Sequence, residues 1–200
     1  MTIEIEIIRE HIKQMLEARG DDVSYIGEHG DAVEPTRFYS QVIILDTDKT
    51  VVFFALTKDI FKEWRTMNEH LSAEALMENY PKKSFILVLS EQQQASMTKL
   101  TAMDKALQAA TPQSALQVFY TKELLYNPSK HFLVPEHRKL SPEEGKEIME
   151  SYMIKNRAQM PIIKRDDVMA RWLGLNTRDI VCITRYNETS GTYYYYRCCV

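Results

Sequence analysis

The chain has 200 residues, 44% apolar and 26% charged, with a formal net charge of −3. That balance suits one medium or two small globular domains and excludes a disordered chain. It also lacks the basic excess of a free-standing DNA-binding domain. No apolar run reaches the ~18 residues of a membrane span, and the alternating start Ile3-Glu4-Ile5-Glu6 is no signal peptide.

In chain order, Ile8, Ile12, Met15 and Leu16 share one helical stripe, and Arg19-Gly20 stops that helix. Residues 21–37 are polar, acidic and glycine-dotted, as in a loop. Phe38–Leu45 and Val51–Leu56 flank Asp46-Thr47-Asp48-Lys49, a hairpin signal. Lys58–His70 and Ser72–Asn79 read as helices. The continuous apolar run Phe85-Ile86-Leu87-Val88-Leu89 predicts a strand covered on both faces. Met97–Ala110 is helical, with Leu100, Met103 and Leu107 on its stripe, and Leu116–Tyr120 is a further strand. Strand, helix, strand predicts a crossover and a mixed or parallel sheet packed by helices.

A second unit begins near Asn127-Pro128-Ser129. Ser141-Pro142-Glu143-Glu144 carries an N-cap, a proline for the first helical position and a glutamate that closes a capping box. That helix runs to about Tyr152. Pro161-Ile162-Ile163 is extended, and Asp166 or Asp167 caps a short helix ending at Gly174. Ile180–Tyr186 and Thr192–Cys199 read as strands joined by the five turn residues Asn187–Gly191, with Gly191 expected at positive φ. The expected class is α+β: an N-terminal α/β domain with a mixed sheet over 1–130, and a small C-terminal mixed α/β domain over 131–200. Residues 1–130 are acidic in balance and 131–200 slightly basic.

Little here predicts catalysis. The five histidines include no His-x-x-x-His pair, and there is neither a glycine-rich phosphate loop nor a Gly-x-Ser-x-Gly elbow. No catalytic residue, metal or cofactor is therefore expected. The best enzymatic alternative is a metal-dependent nuclease-like site at Asp46, Asp48 and Lys49; a charged hairpin turn explains the same residues more simply. A free protein-interaction adaptor is the other alternative. Thr111-Pro112-Gln113-Ser114-Ala115 reads as a helix stop and linker, and Trp64 and Trp172 as core anchors. Cys182, Cys198 and Cys199 are too few for a disulfide framework. The adjacent pair points to opposite faces of a strand, which does not suit a shared zinc ion. The expected compartment is reducing, nucleus or cytoplasm.

The run Tyr193-Tyr194-Tyr195-Tyr196 puts aromatic rings with polar tips on both faces of its strand. One face would pack on the unit's own helices, leaving the other as an interface-like surface. Arg185 and Arg197, on the paired strands, supply directional donors beside a hydroxyl-rich turn.

From Leu133 to Cys199 the chain resembles the fifth, shared subunit of the eukaryotic nuclear RNA polymerases and its archaeal counterpart. The family's Leu-Val-Pro-(Glu/Lys)-His is met at Leu133–His137, and its Leu-Pro-(Arg/Lys)-Ile loosely at Met160–Ile163. Its Asp-Pro-Val-Ala-Arg-Tyr-x-Gly is matched by Asp167-Val168-Met169-Ala170-Arg171-Trp172-Leu173-Gly174. Its Arg-x-Ser-x-Thr-Ala-Gly-x-Tyr…Tyr-Arg is matched by Arg185–Tyr193 and Tyr196-Arg197. Val168 stands for a proline, Arg178 for a glycine and Cys182 for a usual lysine, the marks of a divergent member. Similarity to the family's jaw domain over 1–130 is weaker.

The resemblance implies a non-catalytic polymerase subunit. Its jaw domain would line the path of downstream duplex DNA, and its C-terminal assembly domain would anchor on the largest subunit beside neighbouring small subunits. The interface residues implied are Pro135, His137, Arg171, Arg185, Glu188, Thr189, Gly191, Tyr193, Tyr196 and Arg197. The family's DNA-approaching Thr-Pro-Ser-Ala loop corresponds to Gln92–Met97, where only Ala95-Ser96 survives. Gln94, Ser96 and Lys99 are the implied DNA-proximal residues, with weak, non-specific contact. The implied location is the nucleus for a cellular protein, and a virion or cytoplasmic factory for one encoded by a large DNA virus.

Overall fold

The computed structural model describes residues 2–23, 43–55, 73–89, 94–111, 114–189 and 191–200. They divide into two units, Met1–Tyr126 and Asn127–Val200. Asn127 caps a 3₁₀ turn over Pro128–Lys130 at the start of the second unit. Each unit has helices and its own sheet, so the class is α+β.

In the first unit, α1 (Thr2–Arg19) buries the predicted stripe, with Ile8, Ile12, Met15 and Leu16 all at 3% exposure or less. Gly20 ends it at φ 78°, where the Gly20 amide donates to Glu17 and the Asp21 amide to Leu16. This is the Schellman cap that glycine makes cheap. β1 (Ile43–Asp46) and β2 (Thr50–Ala55) form an antiparallel hairpin. The expected residues 38–42 of the first strand and the helix over 58–70, with Trp64, lie outside the described residues. α2 (Ala73–Asn79) precedes β3 (Ser84–Leu89), whose residues 85–89 are all buried. α3 (Gln94–Ala110) leads to β4 (Leu116–Tyr120).

The strand order is β1-β2-β3-β4, with β3 parallel to both neighbours and only β1 antiparallel. The sheet is therefore mixed. β3 is apolar and buried over residues 85–89 because both of its faces are covered there. Phe53, Tyr80 and Phe85 meet at centroid distances of 6.3–6.4 Å within a core that includes Leu76, Leu87, Leu100 and Leu107. Burying each such side chain is worth ~1.5–3 kcal/mol. Asp104 of α3 accepts the Leu116 amide at 2.9 Å, tying the start of β4 to the helix.

In the second unit, β5 (Glu136–Lys139) leads into α4 (Pro142–Ser151). The capping box is complete: the Glu144 amide donates to Ser141 Oγ at 3.1 Å, and the Ser141 amide donates to Glu144 Oε2 at 2.8 Å. Two-residue β6 (Ile162–Ile163) follows, then α5 (Val168–Trp172). Asp167 is the cap of α5, accepting from Met169 and Ala170. Trp172 is buried as a core anchor.

β7 (Ile180–Asn187) and β8 (Gly191–Cys199) complete a sheet of order β5-β7-β8-β6. The ladder includes Asn187↔Gly191, so the connection is three residues and not the expected five. The register is unchanged, because Tyr186↔Thr192 pair as the longer turn requires. Among the described residues no helix is long and apolar enough to cross a membrane.

Candidate assembly interface

The β7–β8 ribbon is buried at its base and exposed at its tip. Ile180 to Ile183 are buried consecutively, whereas residues 185–189 are exposed. Cys198 and Cys199 are buried on β8, and residues 192–194 are exposed. The base is covered on both faces, so alternation gives way to a continuous apolar run there. At the tip, two strands joined by a tight turn stand clear of the unit's core.

Register fixes which side chains share a face. Pairing aligns His137 with Ile183, Ile183 with Tyr195, Arg185 with Tyr193 and Val181 with Arg197. One face therefore carries His137, Arg185, Tyr193, Tyr195 and Arg197. The Arg185 and Arg197 guanidinium carbons lie 5.4 and 5.2 Å from the Tyr195 ring centroid. Both cations meet the ring's negative π-density. Arg197 also donates to the Ile162 carbonyl at 3.2 Å, linking β8 to β6. His137 Nδ1 donates to the Pro135 carbonyl at 2.7 Å, which orients the ring and the chain entering β5.

The opposite face packs toward α4. Leu140, Met160, Ile180, Cys182 and Cys198 form its core, with Ile148, Met149, Ile154 and Tyr196 against them. Tyr196 pairs across the ladder with Cys182, and its ring lies 5.8 Å from that of Tyr152. Burial raises the pKa of both the Tyr196 hydroxyl and the Cys182 thiol. Of the expected interface residues, Tyr196 is thus on the helix-packed face, away from Arg185 and Arg197.

The turn is built by Asn187, whose side-chain oxygen accepts from the Thr189 amide at 2.9 Å and the Thr189 hydroxyl at 2.8 Å. Glu188 and Thr189 are exposed; Ser190 lies outside the described residues. Gly191 is at φ 71°, as its sequence position predicts. A Cβ there would meet nothing within 4 Å, so the constraint is backbone conformation and not space. Arg171 is half-buried in α5, not on the ribbon.

The structure adds residues the sequence reading did not single out for this surface. Tyr186 is 76% exposed and Tyr194 59%, against 40% for Tyr193. Phe132 and Leu133, just before β5, are exposed at 87% and 72%. Tyr195 is absent from the expected interface residues because its role comes from Arg185, its diagonal neighbour across the ladder, and Arg197, two residues on along its own strand. Carrying the hairpin register one step beyond direct partners would have found it.

In the first unit, Gln94, Ser96 and Lys99 lie on the opening turns of α3, but their side chains are outside the described part. The charged turn at 46–49 braces the hairpin. Asp46 pairs with Lys83 at 2.5 Å, Asp48 accepts the Asp22 amide at 3.1 Å, and Lys49 donates to the Gly20 carbonyl. Among the described residues no cluster of His, Cys, Asp and Glu could hold a metal.

Two α+β units, the second ending in an exposed tyrosine- and arginine-bearing ribbon, define the class of protein. Residues 126–199 match the family described as RNA polymerase Rpb5, C-terminal domain. The chain is 50% identical over 72 residues to DNA-directed RNA polymerase subunit Rpo5 of Pyrococcus abyssi, covering 36% of this chain and 87% of that protein. The same subunit of Pyrococcus horikoshii is 49% identical over 72 residues, with the same coverage. DNA-directed RNA polymerases I, II, and III subunit rpabc1 of Dictyostelium discoideum is 42% identical over 85 residues, covering 42% of this chain and 43% of that protein. The chain belongs to the Rpo5/Rpb5 family of DNA-directed RNA polymerase subunits.

Proposed function

We propose that the chain is a non-catalytic subunit of a multisubunit RNA polymerase, docked on the largest subunit and its small neighbours through the β7–β8 ribbon. The observation that carries this is the contrast along the ribbon. Its base is buried in its own unit, while its tip exposes Arg185, Tyr186, Glu188, Thr189, Tyr193 and Tyr194. Tyrosine and arginine are enriched where binding energy concentrates in interfaces. Their placement on a short, register-locked hairpin limits the entropy lost on docking. Polymerisation chemistry belongs to other chains in this reading, and the first unit lines the path of downstream duplex. Any DNA contact is weak and non-specific and comes from the start of α3 near Gln94, Ser96 and Lys99. The chain acts where its polymerase acts: the nucleus for a cellular enzyme, a virion or viral factory for a viral one.

The test is reconstitution with the largest subunit, comparing wild type with the Arg185→Ala, Tyr193→Ala double variant. The reading requires a large loss of capture. Undiminished capture would move docking off the ribbon tip, and failure of wild type to capture the largest subunit would return the chain to the free-adaptor alternative. Crosslinking in the assembled enzyme tests the DNA path, with adducts expected around residues 94–99. Tight, sequence-selective DNA binding by the free chain would contradict it. Cleavage of nucleic acid on addition of Mg²⁺ would favour the nuclease alternative, against which stands the bracing role of the 46–49 turn.

A further inference from the structure

The C-terminal end of α4 opens onto a concavity of about 460 Å³ whose lining includes Lys146, Glu150, Lys155, Arg157 and Arg178. Its charge is lopsided: Lys146, Lys155, Arg157 and Arg178 face a single carboxylate, Glu150. That carboxylate is already 3.7 Å from Lys146. Lys155, Arg157 and Arg178 therefore leave an uncompensated positive rim. Pro142, Met149 and Ile154 add apolar surface, and Met149 and Ile154 also pack on the unit's core.

The backbone around the rim is unusual. Arg178 sits at φ 78° and Met153 at φ 55°, a left-handed conformation that costs non-glycine residues. Met153 ends α4 in a Schellman cap, with the Ile154 amide donating to Met149 at 2.7 Å and the Met153 amide to Glu150 at 3.0 Å. That turn delivers Ile154 to the concavity and leaves Met153 89% exposed beside it. Arg157 donates to the Arg178 carbonyl at 2.8 Å, joining the two rim arginines. Arg178 stands where the resembled family carries glycine, so this left-handed turn sets a cation at the mouth of the concavity where glycine would set none.

We infer that this concavity binds an acidic peptide segment of a protein partner, one carrying an apolar side chain that seats on Met149 and Ile154. Charge complementarity selects an acidic ligand, and guanidinium forks suit carboxylates. The apolar surface favours a peptide, whose leucine- or phenylalanine-sized side chain can project onto Met149 and Ile154, over a phosphodiester backbone, whose sugar carbons carry no such projecting group. The site shares no residue with the ribbon tip, so it stands or falls apart from the assembly interface.

The test uses the full chain and three fluorescent probes: a short peptide of Asp and Glu around a Phe-Leu pair, the same peptide with Ser-Gly at the pair, and a short single-stranded oligonucleotide. Two variants accompany them, Arg178→Gly, since glycine accepts φ 78° freely, and surface Lys155→Glu. The Phe-Leu peptide should bind most tightly and shift amide signals of residues 149–157 and 178. Each variant should weaken it by about threefold to tenfold. Tighter binding of the oligonucleotide would replace the inference with a nucleic-acid site. Equal binding of the Ser-Gly peptide, no effect of either variant, shifts elsewhere, or no binding would each overturn it.

Discussion

The guanidinium of Arg197 lies 5.2 Å from the Tyr195 ring centroid, on the same ribbon face where Arg185 approaches that ring at 5.4 Å. A partly exposed cation–π contact contributes ~0.5–1 kcal/mol. Tyr195→Leu keeps an apolar side chain but removes the π-face. It should free Arg185, leave Arg197 held by the Ile162 carbonyl, and speed amide hydrogen exchange across residues 184–195, while Tyr195→Phe retains most protection. Equal exchange in wild type and the Leu variant would show that the stack does not order the ribbon.

Ser141→Ala removes one arm of the α4 capping box, in which Glu144 also accepts from Arg138 at 2.8 Å. The second unit should lose about 1 kcal/mol, read by denaturant unfolding. The Ser141 amide and Arg138 side chain hold the Glu144 carboxyl below its ordinary value. Its stabilising contribution is therefore present above the unfolded carboxylate value and fades as pH falls through the folded one. Glu144→Gln should flatten that part of the acid limb, and an unchanged acid limb would contradict the assignment.

Asp21 has the opposite sign. It is 7% exposed and accepts from the Thr50 hydroxyl at 2.7 Å. Burial, its largest influence, raises its carboxyl above 3.8; Thr50 opposes this and Asp48 reinforces it. Folding favours the protonated form, so stability is lost as pH rises through the folded value. The stability of Asp21→Asn relative to wild type should climb as pH rises from below 3.8 through the raised folded value. A pH-independent offset would contradict this.

All three thiols are free and buried, and burial raises each, Cys199 to about 11. The reactive thiolate is therefore scarce and shielded. Native protein at mildly alkaline pH should react slowly with a maleimide, and denatured protein should take up three equivalents quickly. Rapid native labelling at Cys198 or Cys199 would mean that the base of the ribbon opens.

Much of this molecule is legible in its residues. The α1 stripe at Ile8, Ile12, Met15 and Leu16 carries a helical periodicity and the Ser141–Glu144 box a cap, while the short continuous run at 85–89 has the length and composition of a strand covered on both faces. The turn length is harder to read. Asn187 looks like a turn residue, yet it pairs with Gly191 while its side chain builds the turn. Left-handed Met153 carries no mark in its own residue type, because φ above zero advertises itself through glycine or asparagine, and Arg178 shows it only as the replacement of the family's glycine. The candidate interface is legible as a tyrosine strand beside two arginines. Its facing is only partly so, since Tyr196 turns toward α4 and Tyr195 takes the central place.

Gly191, at φ 71°, anchors the account of the ribbon. A β-branched residue is poorly tolerated there, and open space around the position means that substitution distorts the turn without disturbing the core. The direct measurement is quantitative copurification of the largest polymerase subunit with wild type and with Gly191→Val, after circular dichroism has shown both chains folded. The account predicts at least about tenfold less partner with the variant, a loss of ~1.4 kcal/mol or more. Equal recovery of the largest subunit would contradict the claim that the β7–β8 ribbon carries assembly.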